Sequence, residues 1–170
     1  MLRCWGVASS AQVAAAVSAS KSGFTNWISS GSPVLITRAI SHDMFGIPPE
    51  RVIGSNAKTR LDEQDGKTVL VFDGTIDSFN DGAGKPVGIN LAIAKRPLFV
   101  AGNEGGRGDI AMMRWSKDRK GPSFQLLINH DDDVREYAYS EPDNYSLNAA
   151  KKYGFHIVSM KDDWKLIISK

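Results

Sequence analysis

Three short loops of this 170-residue chain place polar or charged residues directly after predicted β-strands, where α/β proteins commonly bind ligands. Ser30-Gly31-Ser32 follows the apolar stretch 24–29 and offers an anion a hydroxyl and backbone N–H groups. Lys85 stands in "NDGAGKP", at the entrance of a predicted helix, and Asp109 ends the Gly-rich loop "GNEGGRGD" before another helix. A hydroxyl, a lysine and a carboxylate at such positions can hold a phosphate and a divalent cation.

Each of these features also has a simple structural interpretation. Ser-Gly-Ser-Pro at 30–33 is typical of a helix N-terminus with proline in the first turn. A single lysine such as Lys85 is commonly a solvated surface residue, and Asp109 is typical of a cap that interacts with the helix dipole. The order of the three features along the chain favours the functional interpretation, and both interpretations stay open at this point.

Hydrophobic patterns and turn signals predict the elements that position these loops. Strands are predicted at residues 24–29, 51–55, 97–103, 124–129 and 156–160, and Asp65-Gly66 predicts a hairpin over 59–78. Helices are predicted at residues 11–21, 34–45, 84–95, 109–116, 131–139 and 146–155. Helices that alternate with short apolar strands predict a mostly parallel sheet with helices on both faces. We therefore predict one α/β domain over residues 1–170, with the hairpin as an antiparallel insertion.

The composition of the chain limits which binding partners and which cell compartment the sequence predicts. The chain has 21 basic and 19 acidic residues without a Lys/Arg block, which predicts no nucleic-acid partner and no membrane surface. The single cysteine, Cys4, excludes an internal disulfide and favours a reducing compartment, so we expect a cytoplasmic protein. Residues 1–20 have a faint outline of a signal peptide, but their polar interruptions favour an ordinary helix.

Five stretches of the chain resemble, in the same order, the C-terminal part of the haloacid dehalogenase (HAD) superfamily in its phosphoserine-phosphatase-like branch. These stretches are "ISSGSP", "FGIPPERVIGS", "FNDGAGKPVGI", "FVAGNEGGRGDIAMM" and "SMKDDWK". They extend from about residue 24 to the end, and the third and fourth are the most specific. The resemblance implies a HAD-like Rossmannoid three-layer sandwich with a mostly parallel sheet. It also implies a hydrolase that acts on phosphomonoesters with Mg²⁺.

The resemblance further implies roles for individual residues. Ser30, with Gly31, matches the position that hydrogen-bonds the transferring phosphoryl group. Lys85 matches the catalytic lysine that neutralises phosphoryl charge and steadies the nucleophile, while Asn103 and Asp109 match the two ends of the metal-binding loop. These roles agree with the chemistry, because phosphoryl transfer depends mainly on positioning and charge neutralisation.

The chain departs from the family pattern in its metal loop and in its nucleophile. The loop is longer than Gly-Asn-Ser-Asp-Gly-Asp and has Arg107 where the first aspartate is expected, with Glu104 as a substitute carboxylate. The family nucleophile is the first Asp of Asp-x-Asp-x-Thr, on a strand ahead of the serine motif. In "LVFDGT" that position is Val71, and no acidic residue precedes Ser30. We therefore predict that Asp73-Gly74 is a turn or strand-end pair and that Asp73 is not a nucleophile.

The chain thus matches a HAD phosphatase without its first, central strand and most of its cap. Residues 1–23 are interpreted as the remnant of a cap or linker helix. The predicted strands 24–29 and 97–101 would each lose a neighbour. We expect them to pair directly, to take up residues 2–9 between them, or to promote self-association. Complementation by an N-terminal fragment is a further expectation.

The sequence therefore predicts a protein of HAD phosphomonoester hydrolase lineage that is inactive as this chain alone, because the nucleophilic Asp is missing. The alternative is a non-catalytic α/β module that binds a phosphorylated small molecule or a partner chain. His130 with the acidic run 131–133 could suggest a metal cluster, but a strand end followed by an acidic helix N-terminus is the simpler explanation, and we favour it.

Overall fold

The computed structural model of the protein describes residues 21–165, which divide into two compact units. We call residues 27–94 the hairpin unit, and residues 21–26 with 95–165 the parallel-sheet unit. Together they contain two three-stranded sheets and four α-helices, so the architecture is mixed α/β. The predicted helix 11–21 (apart from its last residue) and the segment 2–9 lie outside the described residues. Within the described range, no helix combines the length and apolar character needed to cross a membrane.

The hairpin unit is built on a sheet with the strand order β1-β2-β3. Its elements are β1 (Ile28–Pro33), α1 (Val34–Phe45), β2 (Val52–Gln64), β3 (Lys67–Ser78) and α2 (Gly84–Ile93), with a short 3-10 turn at Pro49–Arg51. β1 runs parallel to β2, and β2 runs antiparallel to β3. Its buried apolar side chains are Val34, Ile47, Val52, Ile53 and Ile89. The predicted helices 34–45 and 84–95 are therefore confirmed, the second with an earlier end.

The predicted hairpin is confirmed, including the two residues of its turn. Asp65 and Gly66 both have positive φ, 52° and 70°, which is the backbone of the two-residue type I′ turn. Between the pairs Ala57↔Ile76 and Thr59↔Phe72, β2 advances by two residues while β3 advances by four. The two extra residues form a β-bulge around Asp73-Gly74-Thr75, because strand pairing stays intact on both sides.

The first strand lies further along the chain than its sequence pattern predicts. Residues 24–27 are not strand, and residues 30–33, predicted as a turn, belong to β1. The pairs Ile28↔Val52 and Ser29↔Ile53 are regular, and an irregularity separates them from Pro33↔Ser55. The apolar pattern was misleading here because the partner strand, rather than the local run of apolar residues, decides which segment pairs.

The parallel-sheet unit contains an all-parallel sheet with the strand order β4-β5-β6. Its elements are β4 (Phe99–Asn103), α3 (Ile110–Lys117), β5 (Phe124–Asn129), α4 (Tyr145–Tyr153) and β6 (His156–Ser159). The core includes side chains that are fully or almost fully buried: Ile110, Met113, Leu127, Ile128, Ala150 and Met160. The three strands and two helices predicted for these stretches are confirmed, with boundary shifts of at most two residues.

The helix predicted at 131–139 is wrong. This segment is a turn followed by irregular chain. Its acidic residues bond the backbone locally, since Asp132 Oδ1 accepts the N–H groups of Val134 at 3.1 Å and Arg135 at 2.9 Å. Aspartate side chains that satisfy backbone N–H groups in this way compete with helix formation beyond one turn.

Both strands that were expected to lose a neighbour lie at the edge of their own sheet. β1 is hydrogen-bonded to β2 on one side, and β4 is hydrogen-bonded to β5 on one side. Neither has a second partner strand within the part of the chain that the structure describes. The missing central strand stays a prediction from the family resemblance.

Candidate functional site

The Ser30-Gly31 loop is fixed by side chains from elsewhere in the hairpin unit. Ser55 Oγ donates to the Gly31 carbonyl at 2.8 Å, and Asn80 Nδ2 donates to the Ser30 carbonyl at 2.8 Å. Ser30 Oγ itself accepts the N–H of Ser32 at 3.1 Å. This middle part of β1, which we continue to call the Ser30-Gly31 loop, is therefore held at both of its carbonyls, and Ser30 is only half-buried.

Lys85 is buried beside the same part of β1. Its side chain is almost fully enclosed, with 6% of the residue exposed, and Nζ donates to the Ser29 carbonyl at 2.9 Å. The interpretation of Lys85 as a solvated surface residue is therefore wrong. Gly84 permits this approach, because a Cβ there would collide with the Phe79 carbonyl oxygen. Within the hairpin unit, the structure brings Lys85 next to the Ser30-Gly31 loop.

Asn80 is a site residue that sequence reasoning missed. It is buried, and its Nδ2 also lies 3.2 Å from Ser29 Oγ, so one amide group links the segment before α2 to β1. Its Oδ1 is buried without a hydrogen-bond partner among the described residues. The available signal was its place in "FNDGAGKPVGI", beside Lys85. A Cβ at Gly31 would lie 3.5 Å from the side chain of Asp81, the next residue, so a carboxylate also stands beside this part of β1.

Asn103 and Asp109 meet in the parallel-sheet unit, at the end of β4 and directly before α3. Asp109 Oδ2 accepts the Asn103 N–H at 2.8 Å, which closes the loop between them. A Cβ at Gly102 would lie 2.6 Å from Asp109 Cβ, so this closure requires glycine there. The predicted ends of the metal loop are therefore neighbours in space.

The interior of this loop is attached to the segment before α4 through two glutamates. Glu104 is fully buried, and its Oε1 accepts the Glu141 N–H at 2.7 Å. Glu141 Oε1 accepts the N–H groups of Gly106 at 2.9 Å and Arg107 at 2.6 Å. Ser146 contacts both oxygens of the Glu141 carboxylate, since its N–H donates to Oε2 at 2.6 Å and its hydroxyl donates to Oε1 at 2.9 Å. Glu104 is therefore a buried structural residue of the unit. Glu141 anchors the loop, a role that the sequence does not predict.

Arg107, which stands where a metal-ligating aspartate is expected, points its charge at an exposed carboxylate. Its guanidinium forms an ion pair with Asp143 and lies over the ring of Tyr145, 4.8 Å from the centroid. The φ of Arg107 is positive, 57°, because the loop turns sharply between Gly106 and Gly108. This pairing offsets the unfavourable effect that an uncompensated arginine would have on a cation site.

The stretch "HDDDVREYAY" supports the loop from the side of β5. His130 is buried, and its ring nitrogens lie 3.0 Å from Glu136 Oε1 and 3.2 Å from Asn103 Oδ1. The imidazole stacks on Tyr139 with a centroid distance of 4.5 Å. Partial burial, and then the carboxylates of Glu136, Glu104 and Asp109, raise the pKa of Tyr139 to about 12. The imidazole of His130 therefore orients the side chain of Asn103.

Arg135 in the same stretch holds the chain that follows β6. It forms an ion pair with Asp132 and donates to the carbonyls of Met160 at 2.7 Å, Lys161 at 2.9 Å and Trp164 at 2.7 Å. Burial alone would raise the pKa of Asp132, but the backbone N–H and guanidinium of Arg135 hold it below its usual range. The motifs "HDDDVREYAY" and "SMKDDWK" are therefore joined through main-chain contacts.

The described residues supply few ligands for a metal ion. Among residues 21–165, no group of three or more His, Cys, Asp or Glu side chains is placed to hold one. Asp109 offers one carboxylate and Asn103 one amide, whereas Mg²⁺ is usually held by one or two carboxylates together with waters and substrate phosphate. This donor set is a partial fit for Mg²⁺.

Asp73 lies in the β-bulge of the exposed hairpin. The hydroxyl of Thr75 at 2.6 Å and its N–H at 2.8 Å both donate to Asp73 Oδ1, and they hold the pKa of this carboxyl below its usual range. A cavity of about 550 Å³ runs beside it, lined by polar groups that include Lys58, Arg60 and Asp77 and not by Ser30 or Lys85. Asp73 is therefore part of a mid-strand turn rather than of a strand end.

The comparisons with known proteins add no relative to this picture. A scan against the profiles of protein families found no match, and a search of curated proteins found no significant match. Ser30 and Lys85 belong to the hairpin unit, while Asn103 and Asp109 belong to the parallel-sheet unit, and each pair is described within its own unit. The HAD relationship stays a prediction that rests on the order and content of the five motifs.

Proposed function

We propose that this chain is of HAD phosphomonoester hydrolase lineage and binds the phosphate group of a phosphorylated small molecule at the Ser30-Gly31 loop. The observation that carries the proposal is the position of Lys85, whose buried ammonium lies at the carbonyl of Ser29. Lysine is rarely buried without a specific reason, because removing an ammonium from water is costly. Recognition of a negatively charged phosphate by the Lys85 ammonium beside β1 would be such a reason.

The chemistry of the loop suits a phosphate dianion. Ser30 supplies a hydroxyl donor, Gly31 leaves the backbone accessible, and Lys85 supplies a positive charge in a poorly solvated setting. Electrostatic interactions of this kind are stronger away from bulk water. The fixed carbonyls of Ser30 and Gly31 keep the loop in one conformation, so little ordering is required on binding.

Hydrolysis is not expected from this chain alone. No acidic residue precedes Ser30, and Asp73 is engaged with Thr75 in the bulge. Within the parallel-sheet unit, Asp109 with Asn103 would hold Mg²⁺, and the family resemblance implies that such an ion neutralises phosphoryl charge when bound. An N-terminal fragment with an Asp-x-Asp-x-Thr strand would have to provide the nucleophile. The missing nucleophile favours the second candidate, a non-catalytic module that binds the same phosphorylated group.

Titration calorimetry with inorganic phosphate and with phenyl phosphate tests the binding proposal. We expect weak binding of both, loss of binding in Lys85→Met and reduced binding in Ser30→Ala. Lys58→Met, on the exposed hairpin, is the matched control and should bind as the wild type does. Circular dichroism checks that each variant is folded. Unchanged binding in both Lys85→Met and Ser30→Ala would overturn the site.

Turnover of an aryl phosphate, with and without Mg²⁺, separates the two candidates. We expect none from the chain alone, and we expect turnover on adding an Asp-x-Asp-x-Thr fragment only if the enzyme lineage is correct. Turnover by the chain alone that disappears in Asp73→Asn would contradict our assignment of Asp73. Loss in Asp109→Asn but not in Asp73→Asn would point to metal-bound hydroxide instead.

A further inference from the structure

The outer strand of the hairpin is an unprotected sheet edge. β3 is last in the order β1-β2-β3, and along Lys67–Ser78 its outer side has no partner strand among the described residues. An edge strand presents a row of unpaired N–H and C=O groups, which other strands can use. Twelve residues is long for an exposed edge.

The composition of this edge favours strand pairing. Thr68-Val69-Leu70-Val71-Phe72 is an uninterrupted run of residues, four of them β-branched or aromatic, without a charge, proline or glycine. Proteins usually protect exposed edges with charges, proline or bulges. In β3 the bulge begins only at Asp73, so the run from Thr68 to Phe72 stays regular and accessible.

One face of the hairpin is also apolar and exposed. The register pairs Leu61 with Leu70 and Thr59 with Phe72, and alternate residues of a strand share a face. Leu61, Leu70 and Phe72 are 69%, 66% and 50% exposed. A two-stranded ribbon with such a face is marginal in water, and additional strands would stabilise it.

The edge is complementary to itself. If two copies of β3 pair antiparallel with Leu70 opposite Leu70, Lys67 of each copy lies opposite Asp73 of the other. Thr68 then lies opposite Phe72, and Val69 opposite Val71. Opposite charges and apolar side chains that face each other across antiparallel strands are both favourable. A strand that pairs with its own copy forms a closed two-fold contact that does not propagate.

We propose that two copies of this chain associate through antiparallel pairing of their β3 edges over Lys67–Asp73, with Leu70 at the two-fold axis. The two hairpin units then share one six-stranded sheet in the order β1-β2-β3-β3-β2-β1. The self-complementary charges identify a second copy, rather than an unrelated strand, as the partner. This inference is independent of phosphate binding.

Light scattering over a concentration series tests the association. The wild type should reach twice the 18.5 kDa mass of one chain. Leu70→Lys places two lysines opposite each other at the axis and should give the monomer mass. Leu91→Lys, at a leucine of α2 that is 80% exposed, is the matched control and should remain dimeric. A monomeric wild type, a dimer that survives Leu70→Lys, or a mass above the dimer would each overturn the proposal.

A charge exchange tests the register. Lys67→Asp and Asp73→Lys should each weaken the dimer roughly tenfold, because each creates two like-charge contacts across the symmetric interface. The double variant restores opposite charges at both contacts and should recover most of the loss. Since Asp73 also bonds Thr75 in its own bulge, recovery in the double variant identifies the contact between copies. Failure to recover would overturn this register.

Discussion

Replacing Glu141 by glutamine removes one negative charge from the anchor of the 103–109 loop without changing its shape. In the wild type, Oε1 accepts hydrogen bonds from Gly106, Arg107 and the Ser146 hydroxyl, and Oε2 accepts the Ser146 N–H. In the variant, an amide oxygen can replace only one of the two carboxylate oxygens. The amide NH₂ must then face at least one N–H donor. The fully buried N–H of Ser146 is the group that loses its acceptor.

The expected cost follows from these contacts. An unsatisfied buried donor costs about 1–3 kcal/mol, and the remaining hydrogen bonds weaken because they are no longer made to a charge. These effects are not additive, so we expect a total loss of about 2–4 kcal/mol. A domain has about 5–15 kcal/mol of total stability, so the loss is large but does not prevent folding.

Urea unfolding of Glu141→Gln measures this loss, with amide hydrogen exchange as the local probe. With an m-value of about 2 kcal/mol/M, the midpoint should fall by roughly 1–2 M. The amides of Gly106, Arg107 and Ser146 should exchange faster. Asp143→Asn, which removes the exposed partner of Arg107, is the control and should shift the midpoint little. Equal midpoints for the two variants, with unchanged exchange at the three amides, would refute the role of Glu141 as anchor.

Two predictions concern pH. Tyr139 has a folded-state pKa of about 12, above the value of about 10 for an unfolded chain, so its contribution to stability should disappear as the pH rises between those values. Spectrophotometric titration should lose its step near pH 12 in Tyr139→Phe, and an unchanged curve would contradict the assignment. Burial alone would raise the pKa of Asp131, but the Ser159 hydroxyl and the Lys161 N–H, among other hydrogen bonds, lower it, so its contribution should be lost as the pH falls below about 4. The protection factor of the Lys161 amide should therefore fall in acid, and in Asp131→Asn it should be low at all pH values; a variant as protected as the wild type would contradict this.

Local patterns predicted the elements whose determinants lie within them. The hairpin turn followed from Asp65-Gly66, because few residue pairs accept positive φ at both positions. The strand at Phe124–Asn129 followed from a continuous apolar run with clear ends. The helix Val34–Phe45 followed from Pro33 before it and Gly46 after it. In these cases tertiary contacts agree with local preference.

The errors occur where distant residues decide the conformation. β1 is displaced from 24–29 because its residues are selected by pairing with Val52 and Ile53. In the segment 131–139, Arg135 contacts carbonyl groups far along the chain. Such long-range contacts leave no trace in the local hydrophobic pattern, so the pattern predicts a helix that does not form.

The residues of the candidate site likewise fall into those that the sequence predicts and those that it does not. The proximity of Lys85 to the Ser30 segment was predictable from motif order, but the position of Ser30 inside β1 was not. The supporting roles of Asn80 and Glu141 were not, because amide and carboxylate side chains with backbone partners leave no periodic signal. The burial of Glu104 likewise depends on the distant Glu141 N–H.

The contacts of Arg135 have a consequence for synthesis of the chain on the ribosome. Its carbonyl partners lie 25 to 30 residues downstream, so the turn at 131–136 gains its full set of Arg135 contacts only when residue 165 has emerged. Because the guanidinium contacts main-chain oxygens, which every residue has, the exposed side chains at Lys161 and Lys165 are free to change through evolution while the path of the chain is kept. Nascent chains stopped between residues 136 and 160 should therefore be cut by proteases at this turn, and chains extended past 165 should be protected.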